Sequence, residues 1–424
     1  MTPLFFSRPP APEGDLSGAP ATPRRPLARR NRALSSARVL AASVLWLGAC
    51  AEEIGTTVGV RGDCALVAVN SDYQSTSIAL LNSDGTLCLE PLLHSGSARA
   101  GLVTALSGDV VLPGEPGGAI RVIDRYPNAV LTTLDADGRV LGQLSVATGF
   151  PSNPQDVLEV EGELWITRAA SNPNPGREPY DGGGDILRVR DRGLVGRVPF
   201  EGTGDGVDPM PGALVRVGDR IAVGLSQLRR DFTAGGPGRI GFARLDGTPD
   251  GVLPLPAGFA NCGGLERVGQ TLVSVCTGVF ADGDRVPTSG LVVLDPAARK
   301  VTAAYPAAGL GGALSFGVTA LGVGEVVALL FGDLGSKAPD RIVRVDLATG
   351  RVTPTGISGG AFELGEPVLA PDGAHVRLLV PDGERANPRL RRFATLEAAS
   401  ELTPTNSSPA FGLPPRHLAL RGLP

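Results

Sequence analysis

The chain has 424 residues, of which 42% are hydrophobic and 19% charged, with a formal net charge of −4. That balance excludes a general nucleic-acid binder, which needs a basic face to displace counterions, and it leaves enough apolar residues for a large core. The 59 Gly and 37 Pro are spread along the sequence, a pattern that suits many short strands joined by turns.

The first 23 residues show no periodicity. A basic run follows, Arg24, Arg25, Arg29, Arg30, Arg32 and Arg38, and then an apolar stretch from Val39 to Leu47 that is too short to span a bilayer. Basic segment, short apolar segment and small residues before a cut form the pattern of a signal peptide. The tetrad Leu47-Gly48-Ala49-Cys50 resembles the lipobox of bacterial lipoproteins. The resemblance implies removal of residues 1–49, including an unusual extension before the basic run, and a diacylglycerol on the Cys50 thiol. It also implies a lipid-anchored linker over 50–63, with membrane attachment through the lipid. Ala51 rather than Asp after the cysteine implies the outer membrane of a Gram-negative cell envelope.

Four cysteines remain after Cys50, in two sequence-local pairs: Cys64 with Cys88, and Cys262 with Cys276. Four cysteines allow three pairings, and an exported chain meets an oxidising compartment. Cys262 and Cys276 flank a tight predicted hairpin, which sets them nearly opposite across two strands.

From residue 64 onward one unit recurs. Its clearest part is a hairpin with Asp at the turn: Ile78–Leu89, Leu131–Leu141, Ile186–Val198, Ile240–Leu253, Leu291–Val301, Ile342–Val352 and, with Thr395 at the turn, Leu390–Leu402. The turn residues Asp84, Asp135, Asp191, Asp246, Asp295, Asp346 and Thr395 stand between 49 and 56 residues apart, a spacing of propeller size. A second hairpin precedes six of these. Its copies are Leu102–Leu112, Val157–Ile166, Leu214–Val223, Leu265–Val275, Val318–Leu330 and Val368–Leu379. Two hairpins per unit predict a four-stranded antiparallel blade. The first unit lacks its opening strand, and His417-Leu418-Ala419-Leu420 supplies one from the other end, pairing with Ala65–Asn70. The prediction is therefore an all-β fold: a seven-bladed β-propeller over 64–422 with one-plus-three strand closure, preceded by a lipoprotein signal peptide.

Strands ending Val-Val-Leu-Asp295 and Val-Arg-Val-Asp346, with the turn Leu-Ala-Thr-Gly350-Arg-Val, carry a family likeness, as do Asn70-Ser-Asp-Tyr and Ser-Asn153-Pro-Gln-Asp156-Val. On these the region resembles bacterial exported β-propeller lipoproteins with YVTN-like or NHL-like repeats. Propellers host many unrelated functions, so the likeness speaks to fold more than to activity.

Loop lengths single out one face. The long connections are those between the second and third strands and those between blades, and both leave from the same end. Long irregular loops on a rigid scaffold are where binding concentrates. The candidate binding residues on them are Arg168, Arg177, Asp181, Arg229, Arg230, Asp231, Asp284, Arg285, Lys337, Asp340 and Arg341. Catalytic signatures are poor. The three histidines fall on different predicted blades, no His/Cys spacing for zinc occurs, and no Gly-x-Ser-x-Gly elbow or phosphate loop is present. Asp135-Ala-Asp137-Gly138 reads as turn chemistry rather than a calcium loop, and Trp165 and Tyr126 read as packing residues. No cofactor, metal or catalytic residue is assigned. The reading is a non-catalytic module for a protein, peptide or glycan. Its alternative is a propeller-type periplasmic hydrolase or lactonase, with acids such as Asp156 and Asp185 around a metal at the central channel.

Overall fold

The aspartates that mark the repeat make their turns with their own side chains. Asp84, Asp135, Asp246, Asp295 and Asp346 each accept the backbone N–H two residues on, at 2.7–3.1 Å. A short carboxylate can do this while the chain reverses, which is why Asp opens such turns. At Asp191 the turn is instead made by two residues of positive φ, Asp191 and Arg192.

The computed structural model describes residues 62–422 apart from 116, 205, 373 and 374. Cys50, the leader and most of the linker lie outside the described residues. Among the described residues there are seven four-stranded antiparallel sheets, each with strands a to d in spatial order. Blade 1 runs Pro415–Leu420, Leu66–Ser71, Thr76–Leu81, Leu87–His94. Blade 2 runs Val110–Val111, Ile120–Asp124, Val130–Leu134, Val140–Ser145, and blade 3 runs Pro154–Val160, Glu163–Ser171, Gly183–Arg190, Gly193–Pro199. Blade 4 runs Pro211–Val217, Arg220–Leu225, Arg239–Arg244, Pro249–Pro254. Blade 5 runs Gly264–Val268, Thr271–Thr277, Ser289–Asp295, Lys300–Pro306. Blade 6 runs Leu314–Ala320, Glu325–Leu330, Asp340–Asp346, Val352–Gly359. Blade 7 runs Val368–Asp372, His375–Asp382, Arg389–Phe393, Glu401–Thr405. No helix among the described residues is long and apolar enough to cross a membrane.

The tail closes the ring as the sequence predicts. Leu66, Val67, Ala68 and Val69 pair with Leu420, Ala419, Leu418 and His417. The Arg421 N–H then donates to the Ala65 carbonyl at 2.7 Å. The link before that strand is held too, since Ser77 and Ser408 share a 2.9 Å hydrogen bond.

The core lies between blades. Middle strands bury both faces, so alternate residues serve opposite neighbours, as a period of two requires. In blade 6, Val326, Ala328 and Leu330 pack on blade 5, while Val327 and Leu329 pack on blade 7. Such clusters occur at every junction around the ring, including blade 7 with blade 1 through Leu379, Leu390, Leu66 and Ala68. Strand d is the outer edge and is largely exposed, as in Pro249–Pro254.

Blade 2 departs from the sequence reading. The predicted hairpin Leu102–Leu112 does not form, and strand a is only Val110–Val111, paired with Ile120–Asp124. Asp124 is the reason. Its buried carboxylate accepts the Ser107 N–H at 2.8 Å, the Ser107 hydroxyl at 2.6 Å and the Asn128 amide at 2.8 Å. Ser107-Gly108, which reads as a turn, is thereby spent on fixing the link between blades. The histidines also differ from expectation: His94 and His417 share blade 1, in strands d and a.

Candidate functional site

Connections between strands b and c, and links between blades, leave from one end. Residues 172–182, 226–238, 278–288 and 331–339 are of the first kind, whereas the turns opposite are as short as 161–162, 218–219 and 269–270. Extra structure builds on the long-loop face. Val207–Asp208 pairs with Leu228–Arg229, and below them Met210, Leu228, Ala260 and Val279 form a small apolar cluster with Phe232.

The predicted charged residues divide into three groups. Arg168 lies in strand b of blade 3 rather than on a loop, and it is fully buried. Its Nε and Nη2 donate to both oxygens of Asp185 at 2.8 and 2.7 Å, and Nη2 also reaches the Tyr180 carbonyl. Arg197 adds a second cation to Asp185 at 3.0 Å. This is a structural ion pair, so Arg168 is corrected from a loop recognition residue to a strand residue.

The second group shapes loops. Asp181 collects the N–H groups of Gly176, Arg177 and Glu178, which hold its carboxyl below the usual range. Asp231 caps Thr233 through its hydroxyl and N–H, with the same lowering. Asp284 accepts the Val286 N–H, and Arg341, exposed at the start of strand c, donates to the Gly311 carbonyl. Arg177, Arg229 and Lys337 are exposed, as is Arg230, which reaches Asp208 at 3.2 Å.

The third group is Arg285 and Asp340, which the fold brings to one place. Arg285 is 6% exposed, and its guanidinium carbon stands 4.3 Å from the Phe280 ring centre, 5.2 Å from Phe331 and 5.6 Å from Phe362. Nη1 donates to the carbonyls of Thr277 and Leu314 at 3.2 and 3.3 Å. Burial draws its pKa down to about 10, so it stays charged at neutral pH. Phe316, at 38% exposure, completes the wall, 5.9 Å from Phe280 and 6.0 Å from Phe331. Asp340 sits behind it. Its oxygens accept the N–H groups of Gly332, Phe362, Glu363 and Leu364 at 2.7–2.9 Å. These bonds hold Phe362 at a φ of 60°, a region disfavoured for a bulky residue, and so aim its ring at Arg285.

Further down the channel the first strands of neighbouring blades lie against each other and bring acids inward. Asp156 accepts N–H groups from Val157, Gly114 and Leu214 at 2.7–3.0 Å and so ties blades 2, 3 and 4 together. Burial raises its pKa to about 6. Glu366 is raised by burial to about 7, against Phe316 and Gly317. Glu266 is raised to about 7, first by burial and then by Glu115 and Glu366. Among the described residues no three His, Cys, Asp or Glu side chains stand at metal-binding spacing. Both disulfides are formed, Cys64–Cys88 and Cys262–Cys276. A cleft of about 310 Å³ opens on the opposite face, between blades 4 and 5, beside Asp219, Arg220 and Arg267. It lies away from the aromatic niche.

The phenylalanine wall was not among the sequence candidates. A signal was present: only 4% of residues are aromatic, yet Phe280 and Phe331 fall just past strand b in consecutive blades. Phe316 and Phe362, on a first strand and a link between blades, carry no such mark.

No family model and no curated protein matches the chain. Solved structures share its fold. A protein from Bacteroides fragilis provisionally assigned as a 6-phosphogluconolactonase is 14% identical, with 85% of this chain and 99% of that one covered and a TM-score of 0.51. Its counterpart from Bacteroides uniformis is 12% identical over 84% and 98%, also with a TM-score of 0.51. BamB from Moraxella catarrhalis is 13% identical over 83% and 88%, with a TM-score of 0.45. The two structures with TM-scores of 0.51 share the fold, and at these identities the likeness says nothing about chemistry.

Proposed function

We propose that the chain is an exported, lipid-anchored propeller of the cell envelope that holds a protein or peptide on its loop-rich face without transforming it. The supporting observation is the contrast between the channel and the rim. Asp156, on a first strand at the channel, is engaged by backbone N–H groups, and Asp185, expected at the channel, instead lies in strand c of blade 3 between two guanidinium groups. The rim, by contrast, carries a guanidinium walled by phenylalanines, residue types enriched at protein interfaces. Two disulfides fit an oxidising compartment. Lipid attachment at Cys50 is proposed from the leader alone.

The test is site-directed photo-cross-linking in cells of the source type. Leu334, 52% exposed on the long loop of blade 6, marks one face; Val323, 82% exposed at the short turn of the same blade, marks the other. A discrete adduct from position 334 and none from 323 is expected, and the reverse pattern overturns the assignment of the face. Cys50→Ser should move the protein from the membrane to the soluble fraction; unchanged fractionation removes the anchor from the proposal.

A further inference from the structure

Resting on the reading of the loop-rich face as a recognition surface, we infer that the Arg285 niche binds a carboxylate carried beside an apolar group, as at the free C-terminus of a peptide ending in an aliphatic or aromatic residue. The unspent bonding capacity of the guanidinium points this way. Of its three nitrogens only Nη1 donates to described protein groups, and those two bonds, at 3.2 and 3.3 Å, are long. No described carboxylate forms an ion pair with it. Asp340 and Asp333 act on it only at a distance, and both are engaged elsewhere, Asp340 by four backbone N–H groups and Asp333 by that of Ser336. A buried cation without a carboxylate partner is costly, and two long carbonyl bonds with stacking on aromatic rings return only part of that cost.

The missing partner has a definable chemistry. A carboxylate matches the guanidinium fork with two parallel bonds, and the surrounding rings strengthen those bonds by excluding water. One cation suits a monoanion; a phosphate dianion asks for more donors than this wall of phenyl rings supplies. The rings also leave the hydroxyls of a sugar acid without partners. The exposed side of Phe316 instead offers an apolar surface for the side chain next to the carboxylate. Asp340 takes part as a positioning residue, because it fixes Phe362 over the guanidinium.

The experiment compares acetyl-Gly-Ala-Ala-Phe as the free acid with the same peptide as its C-terminal amide, titrated into the mature protein by calorimetry. The acid should bind roughly tenfold or more tightly than the amide, the range expected of a charge-assisted pair. Phe316→Ala, at a half-exposed position that need not disturb folding, should weaken the acid several-fold. Arg285→Lys should remove most of the preference for acid over amide, because a point charge cannot reproduce the fork. Thermal unfolding of each variant identifies any that is misfolded, and Phe316→Ala carries the test if Arg285→Lys is. Equal binding of acid and amide, or no binding of either, overturns the inference. Cross-linking from position 334 would in that case still support the recognition face, whereas cross-linking only from position 323 would remove the face itself.

Discussion

Arg168 of blade 3 and Arg285 of blade 5 are both buried at the long-loop end of their blades, 0% and 6% exposed. Arg168 meets both oxygens of a buried carboxylate and a carbonyl besides. Arg285 meets two carbonyls at long distance and three ring faces. The same side chain, on the same face and at similar depth, is satisfied in one blade and left with donors to spare in the other. Burial alone therefore does not separate a structural cation from a recognising one; the inventory of its partners does.

Stability measurements put that contrast at risk. Arg168→Ala leaves Asp185 buried with Arg197 as its remaining cation, and it should cost about 3–5 kcal/mol in urea denaturation. Arg285→Met strands no buried carboxylate and fills the apolar cage with a flexible thioether, so it should cost no more than about 1–2 kcal/mol. Equal losses would mean that Arg285 is as structural as Arg168.

Next in size is the disulfide beneath the niche. Cys262 and Cys276 close a loop with a sequence separation of 14, and both are fully buried next to Thr277, whose carbonyl Arg285 engages. Replacing both by Ser should cost about 3 kcal/mol, and reduction should have no further effect through this pair. Blade 1, whose disulfide links Cys64 and Cys88, is the internal control.

A smaller effect concerns the channel below. Burial raises Glu266 and Glu366 from 4.5 to about 7, so the folded chain holds their protons where the unfolded chain has released them. Their contribution is complete below about pH 4 and is lost as pH rises toward 7. His417 works the other way. It is buried near Arg125 and Arg416 and lowered to about 3, so it opposes folding as pH falls below 6.5. The readout is therefore the difference between the wild type and the Glu266→Gln/Glu366→Gln double variant. The variant should lose less stability between pH 4 and pH 7, and parallel curves would show that these acids are not held protonated. Smallest of all should be the loss on Asp246→Ala at an exposed outer turn, where only the solvent-facing cap to Thr248 goes.

These effects track how far each feature could be read in advance. The aspartate turns were legible because each depends on one residue and its neighbour two positions on. Closure by Leu418 and Leu420 was legible because one unit lacked a strand and another stretch was spare. The first hairpin of blade 2 was misread, since the partner that takes Ser107 out of its turn is Asp124, 17 residues away. Arg168 was misplaced for the same reason: its position reads as loop until Asp185 is seen opposite. Arg285 and Asp340 were both among the candidates, but as two of many loop charges, with nothing to join them across two blades.

What the sequence determined by itself was periodic and local: seven units, a second hairpin in most of them, the turns, the ring closed by the tail, and the face with long loops. A period of two and an Asp at a turn act over a few residues, so they are written in order along the chain. The tertiary structure alone decided which charges are spent. Phe280, Phe316, Phe331 and Phe362 come from different loops and strands of blades 5 and 6 and the link to blade 7, and only the packing of these neighbours sets three of the rings over one guanidinium, with Phe316 beside them. Pairing, desolvation and stacking depend on distance in space, and in a ring of repeated sheets that distance has no fixed relation to distance along the sequence.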